Sequence, residues 1–285
     1  MVSKKAYAKL NLYLEVLNKR KDGYHNIKSV FAKIGLYDNL VFNKRNDEEI
    51  KITIKNNVNA YDIPTESNLV YKAVKLFKNT FGIKQGVDII LEKNIPLGAG
   101  LGGGSSDCAT ALLGVSELFN IKKEKEIFEI GKSLGSDVPF FLKNVSFALC
   151  EGRGEIVSPI NSKAVMPHIL LVFPGINVST KEIYQSMKYV YQIAEEKVRI
   201  FMELAEKGGE IDFSSFLFNR LEETTFKISP EVLKVKEYMS QFLKAVLMSG
   251  SGSSVFAVSY DYDKINKAYL EMKKKYNFVY LSKFI

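Results

Sequence analysis

The segment LEKNIPLGAGLGGGSSDCAT, residues 91–110, places five glycines, Gly98, Gly100, Gly102, Gly103 and Gly104, within seven positions. A run of this kind has almost no side-chain bulk and can turn several backbone N–H groups toward one point. A helix starting directly after it adds its own unpaired N–H groups and the positive end of its dipole. The chemistry such a segment suits is the cradling of a polyphosphate. A second small-residue loop, MSGSGSS at 248–254, lies between two strand-like runs near the C-terminus. Alone it reads as a tight turn, but with the first loop it can close on one polyphosphate.

Three readings of the first loop compete, and its flanks separate them. Gly98, Gly100 and Gly103 satisfy G-x-G-x-x-G, yet a dinucleotide site also needs a second strand ending in an acidic residue about 20 positions on. Residues 121–130, IKKEKEIFEI, read instead as a charged turn and a helix. A Walker loop needs Gly-Lys-Ser/Thr, and Gly104 is followed by Ser105-Ser106. A plain linker would not be bracketed by alternating Val87, Ile89 and Leu91 on one side and apolar Ala109, Leu112 and Leu113 on the other. The phosphate cradle is the reading that survives.

Several elements must hold this loop. Residues 8–16 alternate strictly, with Leu10, Leu12, Leu14 and Val16 on one face and Lys9, Asn11, Tyr13 and Glu15 on the other. Lys9 and Asn11 therefore project the same way. A turn at 18–23 leads to a strand through Phe31, and further strands are expected near 40–42 and 50–54. Ser67 is the expected N-cap of a helix carrying Leu69, Val70, Ala73, Leu76 and Phe77, closed by Gly82. A strand at 87–91, a helix from the loop to about Phe119, a helix at 124–134 ended by Gly135, a turn at Asp137 with Pro139 at a helix start, and a strand at 145–149 follow. Beyond Pro159 the pattern restarts with a buried strand at 168–173. Helical segments at about 181–207 and 231–243, strands at 245–248 and 255–259, and a last helix and strand complete an α+β arrangement. His168 opens an apolar strand and reads as a structural histidine.

The composition narrows the class of protein. Forty basic against 32 acidic residues give +8 over 285 residues, but the lysines are scattered rather than gathered into a stripe. Cys108 and Cys150, the only cysteines, have no metal or redox spacing, so neither a disulfide framework nor structural zinc is expected. Cys108 falls in the first turn after the glycine loop, where a thiolate is favoured, yet a small buried thiol is the expected role. With no apolar run near about 20 residues and no apolar leader core, a soluble cytoplasmic protein is expected.

The ordered set of Ala-Lys-Leu-Asn at 8–11, PLGAGLGGGSS at 96–106 and SGSGS at 249–253 resembles the GHMP kinases, of galactokinase and homoserine-kinase type, from about Ala8 to Val258. DGYH at 22–25, GSDVPFF at 135–141 and PGINVST at 174–180 resemble the branch of that superfamily that acts on a cytidyl diphosphate alcohol in the non-mevalonate isoprenoid pathway. The resemblance implies a two-lobed α+β fold. Its N-terminal βα lobe, over 1–160, would be of ribosomal-protein type, and its C-terminal lobe, over 161–285, ferredoxin-like. It implies transfer of the γ-phosphoryl group of ATP, with Mg²⁺, to the 2-hydroxyl of 4-diphosphocytidyl-2-C-methylerythritol by a monomer or weak homodimer.

Residue by residue, the resemblance implies Asp137 as general base with Lys9 beside it. Pro96, Leu97, Gly98, Ala99, Gly100, Leu101, Gly102, Gly103, Gly104, Ser105 and Ser106 would bind ATP, with Asn68 and Lys93 near its adenine. Asn11, Tyr24, His25, Phe31 and Tyr184 would bind the cytidyl substrate. Some superfamily members place a helical glutamate on the metal. None matches here, so the metal ligands are unassigned, although a hydroxyl or carboxylate among Ser105, Ser106 and Asp107 could contribute. The chemistry is sensible, because an alcohol needs a base at neutral pH and an ammonium keeps that carboxylate ionised. Taken singly, the same residues read as an ordinary helix cap at Asp137, a solvated Lys9 and unremarkable aromatics. Two alternatives stay open: a sister kinase acting on mevalonate, homoserine or a sugar, and a nucleic-acid-binding protein, which the absence of a clustered basic stripe disfavours.

Overall fold

The computed structural model describes residues 1–58, 64–187 and 195–285. The chain opens with two long strands, β1 (Val2–Lys19) and β2 (His25–Lys44), joined at Asp22-Gly23, where Gly23 takes φ +86°. They are followed by β3 (Ile50–Asn56), a 3-10 turn at Thr65–Ser67, α1 (Leu69–Phe81), β4 (Val87–Lys93), α2 (Gly103–Phe119), α3 (Glu124–Leu134), α4 (Val138–Leu142), β5 (Phe147–Gly152) and β6 (Ile156–Pro159). The remainder is β7 (His168–Phe173), α5 (Thr180–Ser186), α6 (Glu195–Lys207), α7 (Phe213–Phe216), β8 (Phe218–Asn219), α8 (Glu222–Ile228), α9 (Pro230–Ser240), β9 (Ala245–Met248), β10 (Val255–Ser259), α10 (Tyr262–Lys273) and β11 (Phe278–Lys283). This is the expected α+β fold, with strands in two sheets.

The chain divides into two compact units that are not contiguous in sequence. The first comprises Met1–Ala8, Leu36–Leu97 and Gly102–Asn144. Within it β4 pairs antiparallel with the second half of β2 and parallel with β3. The N-cap of α1 is Asn68, whose Oδ1 accepts from the Val70 amide at 2.9 Å, and not Ser67. The Ser67 hydroxyl donates instead to the Pro64 carbonyl at 2.8 Å, closing the 3-10 turn. Gly82 ends α1 in the left-handed region, as its sequence position anticipates. Helix α2 is buried along most of its length, so it needs small residues where neighbours press in. Gly114 shows why, since a Cβ there would lie 2.3 Å from the Phe42 ring.

The second unit comprises Lys9–Gly35, Gly98–Leu101 and Val145–Ile285. The first half of β2 pairs antiparallel with β5, β5 with β6, and β1 runs parallel to the short β8. A four-stranded antiparallel sheet, in the order β11-β7-β10-β9, carries Leu170, Val172, Val255 and Ala257 into a core shared with Val232, Val235 and Met239 of α9 and Ile265, Ala268 and Met272 of α10. The separate strands expected near Phe31 and at 40–42 are one twenty-residue strand, β2. The strand expected at 145–149 starts two residues later. The helical segment expected over 181–207 is represented by α5 and α6, and residues 188–194 lie outside the described residues. Among the described residues no helix is long and apolar enough to cross a membrane.

Candidate active site

Within the second unit, the start of the glycine loop and the C-terminal loop press backbone against backbone. Gly98 and Gly100 take φ +63° and +74°, a region open to glycine at no steric cost. Gly100 must also lack a side chain, because its Cβ would stand 2.1 Å from the Ser249 carbonyl oxygen. The acceptors of the loop are tied into the unit. The Ser249 hydroxyl donates to Gly100 O at 3.0 Å, the Ser254 amide to Ala99 O at 3.2 Å and the Lys9 amide to Leu101 O at 2.9 Å. The two loops singled out in the sequence therefore meet.

Sequence reasoning missed what holds the second loop. Asn219 Nδ2 donates to the carbonyls of Met248 (2.8 Å) and Gly250 (2.7 Å), while its Oδ1 accepts from the Leu221 amide at 3.0 Å. Next to it, Arg220 forms a two-pronged ion pair with Glu15 at 2.7 and 2.9 Å. Glu15 is 1% exposed, so the polar face of β1 is buried rather than wet. Lys9 Nζ donates to Asn11 Oδ1 at 2.5 Å and lies 4.6 Å over the Phe31 ring. Asn11 Nδ2 passes the chain to Ser29 Oγ at 2.9 Å, and Ser29 donates to the Tyr13 carbonyl at 2.5 Å. Lys9 and Asn11, which the alternation of β1 puts on one face, thus form one buried cluster with Phe31.

The aromatic set divides. His25 and Tyr184 stack with centroids 5.2 Å apart and planes at 25°. Burial, and then the nearby Lys19 ammonium, lowers the His25 pKa from 6.5, favouring a neutral imidazole. Tyr24 is 54% exposed, and the Arg153 guanidinium sits 4.9 Å over its ring. Its amide donates to Asp22 Oδ1 at 3.2 Å, and Asp22 pairs with Arg20 at 3.0 Å, which fixes the turn.

In the first unit, helix α2 begins at Gly103 after Gly102 in the left-handed region. Gly102 directly follows Leu101, so one continuous stretch, 98–106, supplies both loop and helix start. Ser105 is half-buried, and its Oγ lies 3.7 Å from where a Cβ at Gly135 would be, two residues before Asp137. Asp137 occupies the N-cap position of α4, yet its carboxylate makes no capping hydrogen bond. The structural role expected of it as a helix cap is therefore unfilled. Asn68 spends its oxygen on α1 and keeps a buried Nδ2 with no hydrogen-bond partner.

Lys93 and Asp107 turn inward. The Lys93 ammonium, 2% exposed, donates to Asp38 Oδ2 and to Asp107 Oδ2, the latter at 2.7 Å. Asp38 Oδ1 accepts from the amides of Asn94 (2.5 Å) and Ile95 (2.8 Å). Burial pushes the lysine pKa down, but the two carboxylates outweigh it and raise it. Burial raises the Asp107 pKa to about 7, with Lys93 opposing and Asp38 adding. The Cys108 thiol is pushed up to about 12 by burial, the behaviour of an inert interior thiol. Among the described residues no three His, Cys, Asp or Glu side chains gather as a metal site.

Comparison with known proteins shows the family. Residues 68–144 match the family of GHMP kinases N-terminal domains and residues 190–277 that of GHMP kinases C-terminal domains. The 4-diphosphocytidyl-2-C-methyl-D-erythritol kinase of Clostridium beijerinckii is 39% identical over 99% of both chains, and that of Clostridium novyi 41% identical over 99% of both. A crystal structure of a 4-(cytidine 5'-diphospho)-2C-methyl-D-erythritol kinase superposes with TM-score 0.80 at 31% identity, covering 99% of this chain and 98% of that one. A mevalonate kinase structure, at TM-score 0.73 and 14% identity over 100% and 99%, shares the fold. The glycine stretch and its second loop, carried on this fold and matched over the full length of such relatives, place the chain in the GHMP kinase superfamily and, within it, in the 4-diphosphocytidyl-2-C-methyl-D-erythritol kinase family.

Proposed function

We propose that the chain transfers the γ-phosphoryl group of ATP directly to the 2-hydroxyl of 4-diphosphocytidyl-2-C-methyl-D-erythritol, with Asp137 taking the hydroxyl proton and Lys9 steadying the charge that develops. The observation that carries it is the meeting of the two small-residue loops, with the Ser249 hydroxyl on Gly100 O and the Ser254 amide on Ala99 O, in a chain that matches these kinases over 99% of its length. The Lys9 amide holds Leu101 O, and Ser105 Oγ lies beside Gly135 in the segment that leads to Asp137. A carboxylate is the kind of group that can take the proton of an alcohol as it attacks, and Asp137 heads α4 at its N-cap position. Backbone N–H groups of the loop and the start of α2 hold the phosphates, and positioning supplies most of the rate.

Tyr24, His25, Tyr184, Asn11 and Phe31 form the proposed cytidyl side, where a neutral imidazole stacked on Tyr184 suits an uncharged pyrimidine. Asn68 offers its unpartnered Nδ2 to the adenine. Lys93 commits its ammonium to two carboxylates, so its place near the adenine is that of a residue shaping the floor of β4 rather than a donor. Mg²⁺ travelling with a nucleotide is held mostly by phosphate oxygens and water, so it needs little from the protein. The Ser105 hydroxyl fits that modest demand, whereas the Asp107 carboxylate is paired with Lys93. When bound, the ion would neutralise charge on the phosphates being separated.

The same proposal keeps segments 1–160 and 161–285 as the two lobes in sequence. The family matches on either side of residue 160 support it, although 9–35 and 145–160 pack with the second compact unit. A cytoplasmic monomer or weak homodimer that binds neither nucleic acid nor membrane completes it. An assay of ADP release with the cytidyl alcohol, mevalonate and homoserine tests the reading. Turnover restricted to the cytidyl alcohol is expected, and faster turnover of either other alcohol overturns it.

A further inference from the structure

Arg153 stands at the tip of the β5–β6 hairpin, a position where an arginine is ordinarily solvated. Here its side chain is only 26% exposed and its guanidinium lies 4.9 Å over the ring of Tyr24. The turn is built around Glu155, whose Oε2 accepts from the Arg153 amide at 2.5 Å. Gly152, at φ +68°, leaves room for that carboxylate, since a Cβ would come within 2.8 Å of Oε2. A carboxylate so close invites a full ion pair. Instead the nearest approach, Nε to Glu155 Oε1, is 3.7 Å, and the buried Nε has no hydrogen-bond partner. The guanidinium thus forgoes a hydrogen bond worth more than a neutral one and sits over an aromatic face.

The partner ring explains the choice. Tyr24 is 54% exposed even though Arg153 covers one of its faces, and an unsupported tyrosine on a turn rotates freely. The backbone around it is already fixed, by Asp22 Oδ1 on the Tyr24 amide and by Arg20 on Asp22 and Asn26. The pairing of Ile27 with Gly152 at the end of β5 sets the hairpin tip beside this turn. Arg153 is close enough to Asp22 to help lower the pKa of its carboxyl. Everything about the turn is held except the ring itself, and Arg153 holds the ring.

We propose that Arg153 is a positioning residue for substrate recognition. It backs Tyr24 so that the remaining face of the ring is preset as a stacking platform for the pyrimidine of the cytidyl diphosphate substrate. The inference rests on the assignment of Tyr24 to the cytidyl side. A cation–π contact at a part-exposed site contributes modestly, and more once a ligand desolvates it. A loss of about fivefold in affinity for the cytidyl ligand is therefore expected when it is removed.

Titration calorimetry with CDP, together with steady-state kinetics of the full chain, tests this with Arg153→Met and Arg153→Lys. Both variants should weaken CDP binding and raise KM for the cytidyl substrate about fivefold, leaving KM for ATP and kcat unchanged. Lysine should not rescue, because it keeps the charge and loses the breadth of the guanidinium that covers the ring. In a Tyr24→Leu background, Arg153→Met should have no further effect. If Arg153→Lys binds CDP as the wild type does, or the two losses add in the double variant, the positioning role is overturned while the cytidyl site stands. If the wild type itself fails to bind CDP, the cytidyl assignment falls, and this inference with it.

Discussion

Ser249 donates its hydroxyl to the carbonyl oxygen of Gly100 at 3.0 Å, across 149 residues of sequence, and its own carbonyl oxygen blocks the space a side chain at Gly100 would need. One serine therefore both fastens the glycine loop and enforces its glycine. Gly100→Ala should be damaging twice over, through a 2.1 Å clash with backbone and through φ +74°. A loss of more than about 2 kcal/mol of stability, together with nucleotide binding, is expected. Thermal unfolding and ATP titration check it, and a variant that binds ATP normally would show that the loop is not the cradle.

Asn219 is the clasp of the second loop. Asn219→Ala removes its bonds to the Met248 and Gly250 carbonyls, in an environment where each unsatisfied buried group costs about 1–3 kcal/mol. A destabilisation of about 2–4 kcal/mol is expected by urea unfolding, with weakened ATP binding. An unchanged midpoint would mean that the loop holds itself.

The buried Lys93 sits between Asp38 and Asp107, so Lys93→Met strands two carboxylates and should cost about 3–5 kcal/mol at neutral pH. The pH dependence has a definite sign. Asp107 is raised from 3.8 to about 7, so between those values the folded chain keeps a proton that the unfolded chain has lost, and stability falls as pH rises through that window. Lys93 is raised from 10.5, so its contribution is present below that value and lost as pH rises beyond it. Asp107→Asn should flatten the decline between about pH 4 and 7. Denaturation curves at several pH values measure it, and an unaltered slope would place the proton elsewhere.

Much of this was legible in the sequence, for reasons that can be named. The glycine stretch, the Gly82 stop and the helix at 124–134 are local signals, carried by backbone freedom and helical spacing, and the structure reproduces them. The alternation of residues 8–16 gave the correct faces but the wrong solvent. Lys9, Asn11, Tyr13 and Glu15 are buried because partners far along the chain, such as Arg220 and Ser249, cover them. Asn219, Arg220 and the short helices α7 and α8 escaped notice because nothing periodic marks such short elements, and the partners lie far along the chain, Met248 29 positions from Asn219 and Glu15 205 from Arg220. Asn68 displaced Ser67 as cap, a shift of one residue that composition alone does not decide. The stacking of His25 on Tyr184 has no local signal; the resemblance set both residues around the substrate without anticipating their contact.

The central claim is that Asp137 is the base in a phosphoryl transfer organised by residues 98–106, and single-turnover kinetics of Asp137→Asn with saturating ATP and cytidyl alcohol test it most directly. The amide keeps the shape and the cap position of α4, so folding and the binding of both ligands should match the wild type. The transfer rate should fall by about 10²–10⁴-fold. Transfer at more than about a tenth of the wild-type rate, with both ligands bound normally, would contradict the assignment.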